Sequence, residues 1–242
     1  MPRMTMSKMH SECLYAFRPD VESAPRPPGK EARVGLITHT LAECHVSGRT
    51  VSHDDADPHD LATAMGLFQG PFRGWLDSRT WEACEIGLRY DAENDRAEKG
   101  PRRGEPGYED VGPMVLPGTL DLVAIADGAL WIVDIKTGKK DNAHAEQLYA
   151  QAVAASRLYG IARAFVGFVF PRKTKCDEPT WEPLDADRLD AEAGRIRRKL
   201  RLIPEAQPVV GRECFFCEAR AACPAQQPAP IGVEDYDAMT AF

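Results

Sequence analysis

No apolar run in this chain approaches the roughly 20 residues that a membrane-spanning helix needs. Its opening stretch, M-P-R-M-T-M-S-K-M-H, lacks the apolar segment of a secretory signal. The expectation is a cytoplasmic protein with no membrane role. Disulfide chemistry is equally scarce. Seven cysteines in 242 residues are few for a disulfide scaffold, and they crowd toward one end, as metal ligands would in a reducing compartment. Excess positive charge is missing too: the formal net charge is -7, so any affinity for nucleic acid must come from local patches rather than from the whole-molecule field. What is present, 43% hydrophobic and 28% charged residues, is the composition of a soluble globular protein able to bury one sizeable core.

The most informative stretch is Leu116 to Gly138, L-P-G-T-L-D-L-V-A-I-A-D-G-A-L-W-I-V-D-I-K-T-G. Two apolar, strand-length runs meet at Asp127-Gly128, a strong hairpin signal. With a side-chain period of two, Asp134 and Lys136 share one face of the second strand while Trp131, Val133 and Ile135 share the other. Asp121 stands in the first strand. Carboxylates inside a sheet are costly unless they are paired, hydrogen-bonded or bound to metal. An Asp followed across a hairpin by Asp-x-Lys therefore points to a metal site, against the plainer reading of a structural ion pair.

Around this hairpin, helical spacing of Val34, Ile37, Leu41 and Cys44 predicts a helix over 31–45 that carries His39 near its apolar stripe. The loop 51–60 reads as a solvated acidic turn, and a helix over 61–76 is interrupted near Gly70-Pro71. Residues 81–90 read as a strand containing Glu85 and entering a polar turn. Residues 99–113, crowded with Gly and Pro, read as a flexible connection. A helix over 143–159, capped by Asp141 or Asn142 and ended by Gly160, puts Gln147 and Gln151 on one face. It leads to an apolar strand over 163–170 and supplies the crossover of a βαβ unit. After a loop over 171–183, a helix over 185–203 buries Leu189, Ala193, Ile196 and Leu200. It displays Arg188, Arg195, Arg197, Arg198, Lys199 and Arg201, a positive patch suited to a phosphate backbone.

Near the C-terminal end, E-C-F-F-C-E-A-R-A-A-C-P sets Cys214 and Cys217 in a C-x-x-C and Cys223 before a proline. Three thiolates at this spacing suggest zinc or an iron–sulfur cluster lacking one ligand. Cys44 and Cys84 fall on a helix stripe and a strand, where buried thiols are ordinary. Cys13, in an irregular segment free to reach the other end, is the choice over these and Cys176. Such a cluster would close a very long loop and tie the chain ends together.

The order G-x-x-x-H (Gly35 to His39), G-x-x-D (Gly118 to Asp121), D-I-K-T-G (Asp134 to Gly138) and then a glutamine-bearing helix resembles the RecB-type branch of the PD-(D/E)XK nuclease superfamily. The cysteine triplet with a distant N-terminal cysteine is similar to the cluster-bearing members of that branch, such as AddB-type nuclease domains and the exonucleases of CRISPR spacer acquisition. The resemblance implies an α/β restriction-endonuclease-like core, a central mixed β-sheet flanked by helices, whose two ends are joined by a 4Fe–4S cluster on Cys13, Cys214, Cys217 and Cys223. It implies one nuclease domain over 1–227, including the cysteine segment 213–224, followed by a tail over 228–242. His39, Asp121, Asp134 and the Ile135 carbonyl would hold Mg²⁺ or Mn²⁺. Lys136 would position the attacking water and help to deprotonate it, and Gln147 would complete the catalytic set. Glu85 resembles an auxiliary carboxylate. Gln151 stands where the family pattern has tyrosine, with Tyr149 two residues after Gln147.

The function implied is a metal-dependent deoxyribonuclease, exonucleolytic on DNA ends or single strands, in recombination, repair, phage or CRISPR adaptation. Its partners would be DNA and a helicase, recombinase or CRISPR-adaptation protein. Two alternatives stay open: a non-catalytic, cluster-bearing DNA-binding or assembly subunit, and zinc in place of the cluster.

Overall fold

The structure is a computed structural model that describes residues 4–9, 11, 13–18, 20–21, 28–50, 52, 55–138, 144–210, 214 and 217–225. The chain forms two compact units, one of Met4–His10 with Pro27–Leu200 and one of Met1–Arg3, Ser11–Arg26 and Arg201–Phe242. Among the described residues no helix is long and apolar enough to cross a membrane. The expected tail over 228–242 lies outside them.

In the larger unit, α1 spans Lys30–Ser47, α2 Pro58–Leu67 and α3 Arg73–Asp77, with a π-helical turn over Phe68–Phe72 between the last two. α2 begins three residues before the expected start at Leu61, inside the stretch read as a turn. Asp57 accepts hydrogen bonds from the amides of His59 and Asp60, and Pro58 occupies the first helical position, where its missing N–H costs nothing. At Gly70 the backbone leaves helical geometry (φ −77°, ψ −152°), with Pro71 following. Helix α1 buries Val34, Thr38 and Ala42 rather than the Ile37–Leu41–Cys44 stripe. This rotation is possible because the Thr38 hydroxyl donates back to the Val34 carbonyl at 2.8 Å and so buries no unmet polar group.

The strands are β1 Ala83–Asp91, β2 Arg96–Lys99, β3 Val115–Ala126, β4 Ala129–Ile135, β5 Ala164–Pro171, β6 Cys176–Asp177 and β7 Glu182–Leu184. They form a mixed sheet in the order β2-β1-β3-β4-β5-β6, with β7 also pairing with β5. The hairpin β3–β4 turns at Asp127 (φ 51°) and Gly128 (φ 69°), the doubly left-handed geometry that an Asp-Gly pair favours. Helix α4 (Ala145–Tyr159) carries the chain from β4 to a parallel β5 and ends at left-handed Gly160. That is the βαβ crossover read from the sequence. The proposed caps Asp141 and Asn142 lie outside the described residues.

Three loop assignments need correction. The polar turn after β1 closes a hairpin with β2, where the Asp91 carboxylate accepts from the amides of Glu93 and Asn94. The 171–183 loop contains β6 and β7, both bound to β5. The 99–113 connection is fastened rather than free: Arg89 donates to the Gly107 carbonyl at 2.8 Å, Gly100 to the Gly87 carbonyl at 3.0 Å, and Tyr108 is buried. One helical cluster, including Ala42, Phe68, Phe72, Trp75 and Leu76, packs on Leu122, Val133, Ile135 and Val169 of the sheet. The basic helix α5 (Ala186–Leu202) buries Leu189, Ala193, Ile196 and Leu200 as expected. Its cations are largely committed within the protein. Arg188 and Arg195 pair with Glu192, Arg197 donates to the Ala92 carbonyl, and Lys199 donates to the Met9 carbonyl.

In the smaller unit the N- and C-terminal segments meet. Arg18 donates to the Ala206 carbonyl at 3.3 Å, and the Val209 amide lies 3.4 Å from Cys13 Sγ.

Gly118 opens the G-x-x-D sequence because Met6 needs the space. A Cβ there would lie 2.2 Å from the Met6 sulfur and 3.0 Å from its Cβ, and Met6 is itself buried. Gly118→Ala is expected to cost about 1–3 kcal/mol through overpacking, read from chemical denaturation. In combination with Met6→Ala the loss should fall below the sum of the two single losses. Strict additivity would show that this contact does not set the choice of glycine.

Candidate active site

The β3–β4 ladder ends at Leu122 opposite Val133. One residue further on, Asp121 and Asp134 face the opening, exposed by only 6% and 2%. In place of a strand partner, the Ile135 amide donates to Asp121 Oδ2 at 2.7 Å. A carboxylate thus occupies the position of a backbone acceptor. On the other side of β3, register partners Cys84–Leu122 and Ile86–Leu120 bracket Glu85, which drops out of the ladder with a left-handed backbone, φ 52°. A non-glycine residue in that region is uncommon and is held there at a cost. It brings Glu85 to α1, where His39 Nδ1 lies 2.8 Å from Glu85 Oε1 and 3.5 Å from Asp121 Oδ2.

The other ring nitrogen, His39 Nε2, lies 3.0 Å from the Ile135 carbonyl oxygen. Both nitrogens therefore face acceptors, and only the doubly protonated imidazolium can donate to both. The electrostatics agree. Burial would lower the His39 value, but Asp121 and Glu85, with Asp134 behind them, push it up to about 10. Burial raises Asp121 above the ordinary carboxylate range, partly offset by His39 and reinforced by Asp134 and Glu85. The metal-free site holds a proton among crowded anions.

That crowding fits a cation. The ligand atoms of His39, Glu85 and Asp121 lie within 4.8 Å of one another, and the Ile135 carbonyl adjoins them through His39. Hard carboxylate and carbonyl oxygens with one imidazole suit a divalent ion such as Mg²⁺ or Mn²⁺. Glu85 thus stands close enough to His39 and Asp121 to share an ion with them. Motif order marked Glu85 only as an accompanying carboxylate, because a left-handed φ at a strand glutamate has no signature in residue type.

Asp134 turns toward the other half of the site. Lys136 Nζ lies 2.6 Å from Asp134 Oδ2, and the Gln147 amide bridges the pair. Its nitrogen donates to Asp134 Oδ1, and its oxygen accepts from Lys136 at 2.9 Å. Lys136, 5.7 Å from the centre of the Phe168 ring, keeps part of its side chain exposed. One helical turn beyond Gln147, buried Gln151 donates to the Thr119 carbonyl at 2.8 Å and so fixes β3 two residues before Asp121. Tyr149, on another side of α4, donates to the Glu182 carboxylate and lies away from this constellation. The glycine of G-x-x-x-H is explained by proximity: a Cβ at Gly35 would lie 3.0 Å from Thr137 Oγ1, in the segment that follows Lys136. Arg172 holds that segment through the carbonyls of Thr137 and Gly138, at 3.2 and 3.0 Å. Lys139 and Lys140 lie outside the described residues.

The four cysteines Cys13, Cys214, Cys217 and Cys223 belong to the smaller unit. Burial raises the Cys217 thiol, the Ala219 amide lowers it in part, and Cys13, Cys214 and Cys223 each push it up further. The other three thiols are therefore within electrostatic reach of Cys217.

A protein-family model described as the PD-(D/E)XK nuclease superfamily matches residues 8–224. No curated protein matches the chain. Among solved structures, one titled "Crystal structure of SSO0001" is similar over 48% of this chain and 54% of that one, at 16% identity and a TM-score of 0.32. The chain spans about half the length of that protein, and a likeness at this level carries no argument about fold or activity.

Because a ligand nitrogen must be free of its proton, divalent metal binding to this site should release about one proton near pH 7. Calorimetric titrations of Mn²⁺ in buffers of different ionisation enthalpy would measure it, and His39→Gln should abolish the release. A binding heat independent of buffer would contradict the protonated imidazolium. In the metal-free protein the raised His39 value adds stability that is full below its ordinary value near 6.5. This contribution is lost as pH rises through about 10.

Proposed function

The chain belongs to the PD-(D/E)XK nuclease superfamily, and from that premise we propose that it is a Mg²⁺- or Mn²⁺-dependent deoxyribonuclease acting on DNA ends or single strands. The observation that carries the proposal is the joining of two half-sites at the end of the β3–β4 ladder: the ligand group of His39, Glu85 and Asp121, and the Asp134–Lys136–Gln147 constellation. Asp134, one residue past the last ladder pair, stands between the two, as a ligand shared with Lys136.

A divalent cation held by His39, Asp121, Asp134 and the Ile135 carbonyl, with Glu85 beside them, would supply Lewis-acid stabilisation of charge developing on the phosphodiester. The protein's own residues do the positioning. Asp134 and Gln147 hold the Lys136 ammonium in one orientation. Lys136 fixes the attacking water and takes part in removing its proton. Gln151 and Arg172 keep β3 and the segment after Lys136 in place.

In the same proposal Cys13, Cys214, Cys217 and Cys223 hold a 4Fe–4S cluster that stabilises the smaller unit, with zinc as the lesser possibility. Its support is the C-x-x-C and Cys-Pro pattern together with the electrostatic reach of Cys13, Cys214 and Cys223 to Cys217. The exonucleolytic mode, the RecB-like branch, a cytoplasmic setting and a helicase, recombinase or CRISPR-adaptation partner rest on the order of the motifs. So does a single domain over 1–227.

Asp134→Ala and Lys136→Ala are each expected to lower cleavage by about 10²-fold or more, on linear, circular and single-stranded DNA with Mn²⁺ or Mg²⁺. Equal residual activity in wild type and variants would refute the catalytic assignment. Purified without oxygen, the protein should be brown with broad absorption in the visible blue. A colourless preparation with stoichiometric zinc would overturn the cluster.

A further inference from the structure

Among the described residues, Arg103 is a cation beside the active site whose side chain has no hydrogen bond or ion pair. The loop between β2 and β3 crosses the sheet next to the metal-ligand group and is fixed to each element that supplies a ligand side chain. On β1, Gly87 lies two residues beyond Glu85, and the loop backbone passes so close that a Cβ at Gly87 would lie 2.2 Å from the Gly100 carbonyl oxygen. This is the close backbone approach that an interior strand glycine allows. On β3, the hydroxyl of Thr119, register partner of Gly87, accepts from the Arg103 amide at 3.2 Å. On α1, Arg102 reaches Glu43, one turn after His39, at 2.5 Å; Glu43 is buried and also bound by Arg49. Arg102 further pairs with Glu105 inside the loop.

Arg102 and Arg89 are thereby spent on holding the loop, and Arg49 on Glu43. Arg103 is not. Its backbone is pinned two residues from Asp121, about 7 Å along the strand. Its side chain is exposed and makes no hydrogen bond or ion pair among the described residues. In a protein of net charge -7, with three carboxylates gathered at the site, an exposed guanidinium on a fixed support beside them is a point where attraction for a polyanion offsets the acidic field. We propose that Arg103 is a positioning residue that grips a backbone phosphate of the nucleic-acid substrate next to the scissile one. The inference rests on the nuclease reading above and adds to it the element that fixes the strand.

The test is the salt dependence of binding to a fluorescein-labelled oligodeoxynucleotide, single-stranded and duplex, by anisotropy with Ca²⁺ as the divalent ion, alongside steady-state cleavage in Mn²⁺. Arg103→Gln should make the slope of log K against log salt shallower by about 0.7 for the single strand or 0.9 for the duplex, the contribution of one phosphate contact. It should also raise KM several-fold with kcat unchanged. Arg103→Lys keeps the charge and should keep most of the slope, which a purely structural role would not predict. Arg96→Gln makes the same charge change at the far end of β1, opposite Asp91, and should leave the slope as in wild type. An unchanged slope in Arg103→Gln, or an equal drop in Arg96→Gln, overturns the phosphate contact while leaving the nuclease reading intact. A wild type that neither binds nor cleaves DNA overturns both.

Discussion

A buried carboxylate that is neither paired nor hydrogen-bonded costs several kcal/mol, and at the end of the β3–β4 ladder this protein gathers two, Asp121 and Asp134, with half-buried Glu85 of β1 beside them. Much of the local structure follows from meeting that cost. Asp121 takes the Ile135 amide in place of a strand partner. Asp134 takes Lys136 and the Gln147 amide. Glu85 takes His39, which a proton shared with its neighbours keeps charged. Each anion is met by a donor from a different element: α1, β4 or α4. Removing one donor exposes its partner to repulsion from the other two carboxylates, so the constellation acts as a unit rather than as separate pairs.

The glycines around the site have one common cause. Gly35, Gly87 and Gly118 lie at places where a methyl group would meet Thr137, the Gly100 carbonyl or Met6. All three have ordinary negative backbone angles, so it is close approach rather than turn geometry that selects them. They let α1, the 99–113 loop and the N-terminal turn press against the strands that carry the acids. The motif letters G-x-x-x-H and G-x-x-D thus record packing distances as much as chemistry.

The hairpin and its turn were legible in the sequence, because alternation and an Asp-Gly pair are local. So was the α4 crossover into β5, where helical periodicity gives way to a near-continuous apolar run and Gly160 marks the junction. The short strands β2, β6 and β7 were not. Two to four residues hold too little periodicity, and they are strands only because β1 and β5 offer unpaired edges. The buried face of α1 was misjudged by about one residue, since a threonine that bonds its own helix can stand in the core. The α5 cations read as a patch because a sequence shows charge but not the carbonyls and carboxylates that absorb it. Most telling is Glu85, whose role depends on a backbone angle. His39, Asp121, Asp134, Lys136 and Gln147 were picked out by motif order, and the structure brings them around one opening.

The smaller unit joins Ser11–Arg26, with Met1–Arg3, to the chain from Arg201 onward, and residues 27–200 lie between them in sequence. On the ribosome the first segment emerges long before its partner exists. At about 5–20 residues per second the interval is roughly ten seconds to half a minute, ample time for the intervening sheet and helices to form. Cys13 must spend that interval as a lone thiol. The four cysteines can therefore come together only after the whole of the larger unit has been made.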